Sequence, residues 1–172
     1  MANDLDEDKK ELYGTFLNIL VENNHPNTTG LFVKNALGEY RICVSEVKRL
    51  RKKNPLKNID YEQNLKVAIA NLLRAKKSSS EIERIENLGS AFGAYLGFIR
   101  NLSDETFSID DPSTRIYPEK LLELNKIFVY NLKEMGLYIR LDYIKKKLQK
   151  IAKRIVSDQT RILIAELASD FA

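Results

Sequence analysis

The sequence predicts an all-α protein, a helical bundle of five to seven helices with a long C-terminal helix. Three observations carry that expectation. Apolar residues recur at i, i+3 and i+4 along most of the chain, the period of an amphipathic helix. The 4 prolines fall between these periodic segments, where a helix tolerates the missing donor. Asp60 with Gln63, and Ser80 with Glu83, have the three-residue spacing of a capping box at a helix start. A chain of 172 residues with 44% hydrophobic residues has enough apolar side chains to build a core without staples.

The first helix is expected from about Asp6 to Glu22, with Leu12, Tyr13, Phe16, Leu17, Leu20 and Val21 on its apolar face. Asn23-Asn24-His25-Pro26-Asn27 stops it with polar turn formers and a proline. After the stretch 28–54, which Asn54-Pro55 closes, a helix from Asp60 to Lys77 buries Leu65, Ala68, Ile69, Leu72 and Leu73. Ser78-Ser79-Ser80 is its turn. The next helix, Glu81 to Leu102, buries Ile82, Ile85, Leu88, Phe92, Tyr95, Leu96 and Ile99. Ser103 to Tyr117 is a polar loop. Pro118 then stands at the first position of a helix running to Met135, with Gly136 as a left-handed cap. From Leu137 to Asp170 the pattern reads as one helix about 50 Å long, at 1.5 Å per residue. Residues 1–57 and 58–172 are read as two parts of one continuous globular unit.

Residues 28–54 resemble a helix-turn-helix, a motif shared by many families. Val33 and Leu37 would hold the second helix, Gly38 would supply a turn with positive φ, and Ser45 would cap a helix anchored by Val44, Val47 and Leu50. The resemblance implies a basic helix of Lys48, Arg49, Lys52 and Lys53 in the major groove, with the Arg49 fork bonding a guanine edge. The sequence departs from the motif at Lys34, where a small residue is usual, and at Glu39, where an apolar one is. Two other readings stay open. Val33, Tyr40 and Val47 fall seven apart, as do Ala36, Cys43 and Leu50, which suits a single continuous helix. Leu31-Phe32-Val33 and Tyr40 to Val44 are β-prone and could pair as a hairpin around Leu37-Gly38.

The formal charge is +4, but it is unevenly spread. Lys34 to Lys77 holds 12 bases and 4 acids, and Lys126 to Arg161 holds 10 bases and 3 acids. Between them, Glu81 to Glu123 holds 9 acids and 4 bases. The sharpest cationic runs are Lys48 to Lys53, and Lys145, Lys146 and Lys147 with Lys150, Lys153 and Arg154. Such runs attract phosphate backbones by Coulomb attraction and counterion release. The expected function is therefore non-enzymatic binding of nucleic acid, double-stranded DNA first. The alternative is a helical assembly, adaptor or virion subunit whose cations meet an acidic protein partner.

Other chemistry is scarce. One cysteine, Cys43, and one histidine, His25, argue against disulfide, thiolate-metal and histidine-metal sites. Thr28-Thr29-Gly30 is not a Gly-rich phosphate loop, and Asp104, Glu105, Asp110 and Asp111 lack calcium-loop spacing. No catalytic group, metal or cofactor is expected. The acidic start, Met1 to Glu11, is unlike a signal peptide, and the longest apolar stretch, Leu88 to Ile99, has 12 residues where a bilayer needs about 20. An intracellular, soluble protein is expected, away from membranes. Gly89, Gly93 and Gly97, spaced by four, invite close packing of another helix. The heptad seam through Ile155, resumed at Ile162, invites a second chain, so a homo-oligomer is expected.

Overall fold

The computed structural model describes residues 2–20, 26–53, 60–104, 118–136 and 139–172. They form α1 (Ala2–Ile19), α2 (Pro26–Lys53), α3 (Tyr61–Lys77), α4 (Glu81–Asp104), α5 (Pro118–Glu134), α6 (Leu141–Arg154) and α7 (Asp158–Ser169). The protein is all-α, a bundle of seven helices among the described residues; β-pairing there is a lone antiparallel bridge between Leu20 and Ile139. His25, Val21, Asn54-Pro55, Glu105 to Tyr117 and Leu137 lie outside the described residues.

α4 is the axis of the bundle, buried over Ala91 to Ile99 without interruption. A helix surrounded on every side needs partners on every side. α2 lies along it in the same direction: Gly89 faces the backbone of Phe32, Gly93 that of Ala36, and Gly97 the side chain of Cys43. α3 runs back along α4 through the Ser78-Ser79-Ser80 turn, capped as the sequence predicts by Asp60, which accepts from the Gln63 N–H at 3.0 Å, and by Ser80, which accepts from Glu83 N–H at 3.4 Å. α5 is antiparallel to α4, with Phe128 against Phe92 and stacked at 4.6 Å on Tyr95. A row of ring contacts, Phe16–Phe32–Phe92–Phe128–Tyr95–Phe171, ties α1 to the end of the chain. One hydrophobic cluster draws on all seven helices.

Five sequence expectations are corrected. There is no helix-turn-helix and no hairpin at 28–53: α2 is a single helix of 28 residues, the continuous helix that the spacing of seven allowed. Gly38 sits inside it without positive φ, because Phe32, Val33, Ala36, Val44 and Val47 make one continuous buried face that a turn would break. The long C-terminal helix is two. Ile155 leaves the helix at ψ 130°, and Ser157 caps α7 by accepting from the Thr160 N–H, so the two helices are joined by a bend at 155–157. That bend lets α7 reach α4 and α5. Gly136 is not left-handed; the end of α5 closes instead with i→i−3 bonds, from Met135 N–H to Leu132 O at 2.9 Å and from Gly136 N–H to Lys133 O at 3.2 Å. Finally, α1 ends at Ile19, where Arg140 N–H bonds its carbonyl, and Tyr13, Leu17, Leu73 and Ile82, expected inside, are exposed.

Candidate nucleic-acid interface

The first basic run occupies the last turns of α2. Val44 and Val47 turn inward with Leu50 half-buried, which forces the intervening positions outward. Lys48, Arg49, Lys52 and Lys53 are all exposed. Arg49, read as the base-contacting residue, is held instead by Glu46 at 2.5 Å, one turn back on the same helix. That pair draws the Glu46 carboxyl below its usual range, chiefly through the Arg49 hydrogen bond. With no separate recognition helix and its fork engaged, Arg49 has lost the geometry that implied a guanine contact.

The second run forms one side of α6. Ile144, Leu148 and Ala152 are buried, with Leu141 and Ile151 packed beside them. Lys146, Lys150 and Lys153, at i, i+4 and i+7, take the opposite side and are exposed, as is Arg154; Lys145 and Lys147 are the half-buried flanks. Lys147 bonds Glu11 of α1 at 2.8 Å. This bond, then the Lys147 charge, lowers the Glu11 carboxyl below its usual range, with Arg154 and Lys150 adding to the field. α6 therefore borrows its counter-charge from the acidic N-terminal segment. Among the described residues, Lys147 is the one member of either run paired to a different helix. The two runs lie on separate helices that both pack on α1.

The predicted close-packing residues divide. A Cβ on Gly89 would lie 2.5 Å from the Phe32 carbonyl oxygen, and one on Gly93 would collide with the Ala36 carbonyl, so α2 fills the glycine strip from within the chain. Ile155 is half-buried against the core, while Ile162 is 54% exposed.

The lone thiol sits where α2, α3 and α4 meet. Cys43 Sγ donates to Asn64 Oδ1 at 2.6 Å, and Asn101 bridges both residues. Burial, with the Glu39 charge added, pushes the thiol up to about 11. A thiol so protonated is a weak nucleophile. A second buried polar group joins α4, α5 and α7: Tyr95 donates its hydroxyl proton to Asn125 Oδ1, and the Asn125 amide donates to Leu167 O at 3.1 Å and Asp170 Oδ2 at 2.8 Å. Sequence reasoning singled out Cys43 but none of the three asparagines, since Asn64 and Asn101 meet Cys43, and Asn125 meets Tyr95, only across different helices. It also passed over Lys34 and Arg41, exposed cations on α2 whose spacing of seven with Lys48 was the available signal.

No family, no curated protein and no solved structure matches this chain. Among the described residues, no helix is long and apolar enough to cross a membrane, and no three His, Cys, Asp or Glu side chains converge as a metal site would need.

Proposed function

We propose that the protein binds nucleic acid, double-stranded DNA first, through its phosphates and without catalysing a reaction. The observation that carries the reading is the outer face of α6. Lys146, Lys150, Lys153 and Arg154 stand exposed within about three turns, and none forms a salt bridge among the described residues, although Lys150 and Arg154 feel the Glu11 charge at longer range. Like charges at i, i+4 each cost a helix roughly 0.2–0.5 kcal/mol. A face that accepts that cost several times over fits an external polyanion better than a merely solvated surface. The exposed cations at the end of α2 are a second positive surface on the same protein.

Binding of this kind reads charge and ignores sequence, so it weakens steeply as salt rises. Fluorescence anisotropy with a labelled random-sequence duplex at about 50 and about 200 mM salt measures it. Tight binding at low salt that falls steeply at the higher salt supports the reading; no binding at low salt removes it.

A second reading, an assembly subunit that pairs with a further copy of itself, rests on the bend between α6 and α7. Val156 there is 96% exposed and Ile162 follows on α7 at 54%. A second copy covering both would remove that apolar area from water. Sedimentation equilibrium at twice the 19.8 kDa chain mass supports it, and a monomer at high concentration removes it.

A further inference from the structure

We propose that the outer face of α2, from Gly30 to Lys52, is a phosphate rail along which a nucleic-acid duplex lies, neutralised by Lys34, Arg41, Lys48 and Lys52. The proposal rests on the nucleic-acid reading above and adds where the duplex sits and which residues hold it.

Positions 30, 34, 38, 41, 45, 48 and 52 succeed one another by three or four, so they form one line along a continuous helix. They are Gly, Lys, Gly, Arg, Ser, Lys and Lys, and all seven are exposed. No acidic residue stands on the line. The two acids nearby are occupied elsewhere: Glu46 holds Arg49, and Glu39 is half-buried. The four cations have no ion pair among the described residues. From Lys34 to Lys52 the row is about 27 Å long, at 1.5 Å per residue. A duplex offers a phosphate charge every ~1.7 Å of axis, so each cation finds one.

The small residues are the second observation. A glycine inside a helix costs roughly 1 kcal/mol against alanine. Gly89, Gly93 and Gly97 recover that cost in the close approach of α2. Gly30 and Gly38 recover nothing within the chain, since a Cβ on either would meet nothing within 4 Å. On the rail Gly30 leaves the helix backbone bare just before Lys34 and Gly38 leaves it bare between Lys34 and Arg41, and Ser45 adds a hydroxyl donor. A sugar–phosphate backbone can then lie close to the helix axis. α4 holds the other side of α2, so the duplex is met from one side only and the helix lies along the phosphates instead of sinking into the groove. This geometry accounts for charge recognition without base reading. An anionic lipid surface fits less well, because the apolar face of α2 that would enter a bilayer is spent on α4 and Ile42 alone is exposed beside the rail.

The test compares salt slopes by anisotropy with a random-sequence duplex. Each phosphate contact contributes about 0.9 to the slope of log K against log salt, so Lys34→Gln with Arg41→Gln should flatten it by about 1.8. The control pair Lys66→Gln with Lys133→Gln, exposed on α3 and α5, removes the same net charge and should leave the slope within error. Gly38→Glu should weaken binding while keeping the thermal midpoint at or above the wild-type value, which separates lost contact from lost fold. Wild-type slopes for the rail variants while the wild-type protein binds would overturn the rail and leave the wider reading standing. Equal losses from the control pair would overturn it in favour of diffuse charge. Failure of the wild-type protein to bind duplex, or capture by phosphatidylserine vesicles in place of duplex, would overturn both.

Discussion

Replacing a single glycine by alanine should have opposite signs at two places in this protein. At Gly93 the new Cβ would lie 2.9 Å from the Ala36 carbonyl carbon and closer still to its oxygen. Ordinary contacts fall at about 3.5–4.0 Å, so the α2 and α4 backbones must part locally by most of an ångström. No side chain can rotate to relieve a backbone contact. Overpacking of this kind costs up to about 3 kcal/mol. Alanine returns about 1 kcal/mol of helix propensity, which leaves a net loss of about 2 kcal/mol. For a chain of this size that lowers the thermal midpoint by about 4–8 °C. At Gly38 the same substitution meets nothing within 4 Å. Only the propensity gain of about 1 kcal/mol remains, and the midpoint should rise by about 2–4 °C. Thermal and urea unfolding followed by far-UV circular dichroism measure both. If Gly93→Ala is as stable as wild type, α2 does not lie on the glycine strip and the parallel pairing with α4 is wrong.

Three further outcomes are expected. Asn125→Leu leaves the Tyr95 hydroxyl and Asp170 without their shared partner and should cost about 3 kcal/mol, read from the urea midpoint, with the buried tail at Phe171 trimmed faster by carboxypeptidase. Burial raises the Cys43 thiol to about 11, so the fold favours the neutral form: its stabilisation holds below the unfolded thiol value and is lost as pH rises through the folded one. Between about pH 8 and about pH 11 wild type should lose on the order of 2 kcal/mol more than Cys43→Ala, and equal losses would place the thiol in water. Glu11→Gln frees Lys147 from its exposed pair and should tighten duplex binding by up to about fivefold, the equivalent of 1 kcal/mol, while unchanged or weaker binding would show that α6 gains nothing from losing its counter-charge.

Much of the fold was legible in the sequence because its signals are local. The Asp60 and Ser80 caps, Pro118 at the head of α5 and the apolar periods of α3 to α5 all report on neighbours a few residues away. The failures have a common physical origin. Gly38 looks like a turn residue, and only the burial of both flanks of α2 against α4 shows that the helix runs through it. The spacing of seven from Val33 to Tyr40 to Val47 pointed to that helix, and the sequence alone left it open beside the turn and the hairpin. The seam through Ile155 outweighed the local cap at Ser157 in the same way, hiding the bend. The glycine strip announced a close partner without saying which helix, since pairing across more than 50 residues leaves no local trace. The cationic runs were legible as charge. Their surroundings were not: the pairing of Lys147 with Glu11, the pairing of Arg49 with Glu46, and the open line through Lys34 and Arg41 all needed the fold.

The central claim is that exposed cations on α2 and α6 meet phosphates. Lysine acetylation read by mass spectrometry, with and without a random-sequence duplex at low salt, addresses it residue by residue. Lys34, Lys48 and Lys52 on α2, and Lys146, Lys150 and Lys153 on α6, should be shielded when duplex is present, while Lys66 on α3 and Lys126 and Lys133 on α5, also exposed in the free protein, should react at unchanged rates. Uniform shielding of all nine lysines, or none on α2 and α6, would contradict it.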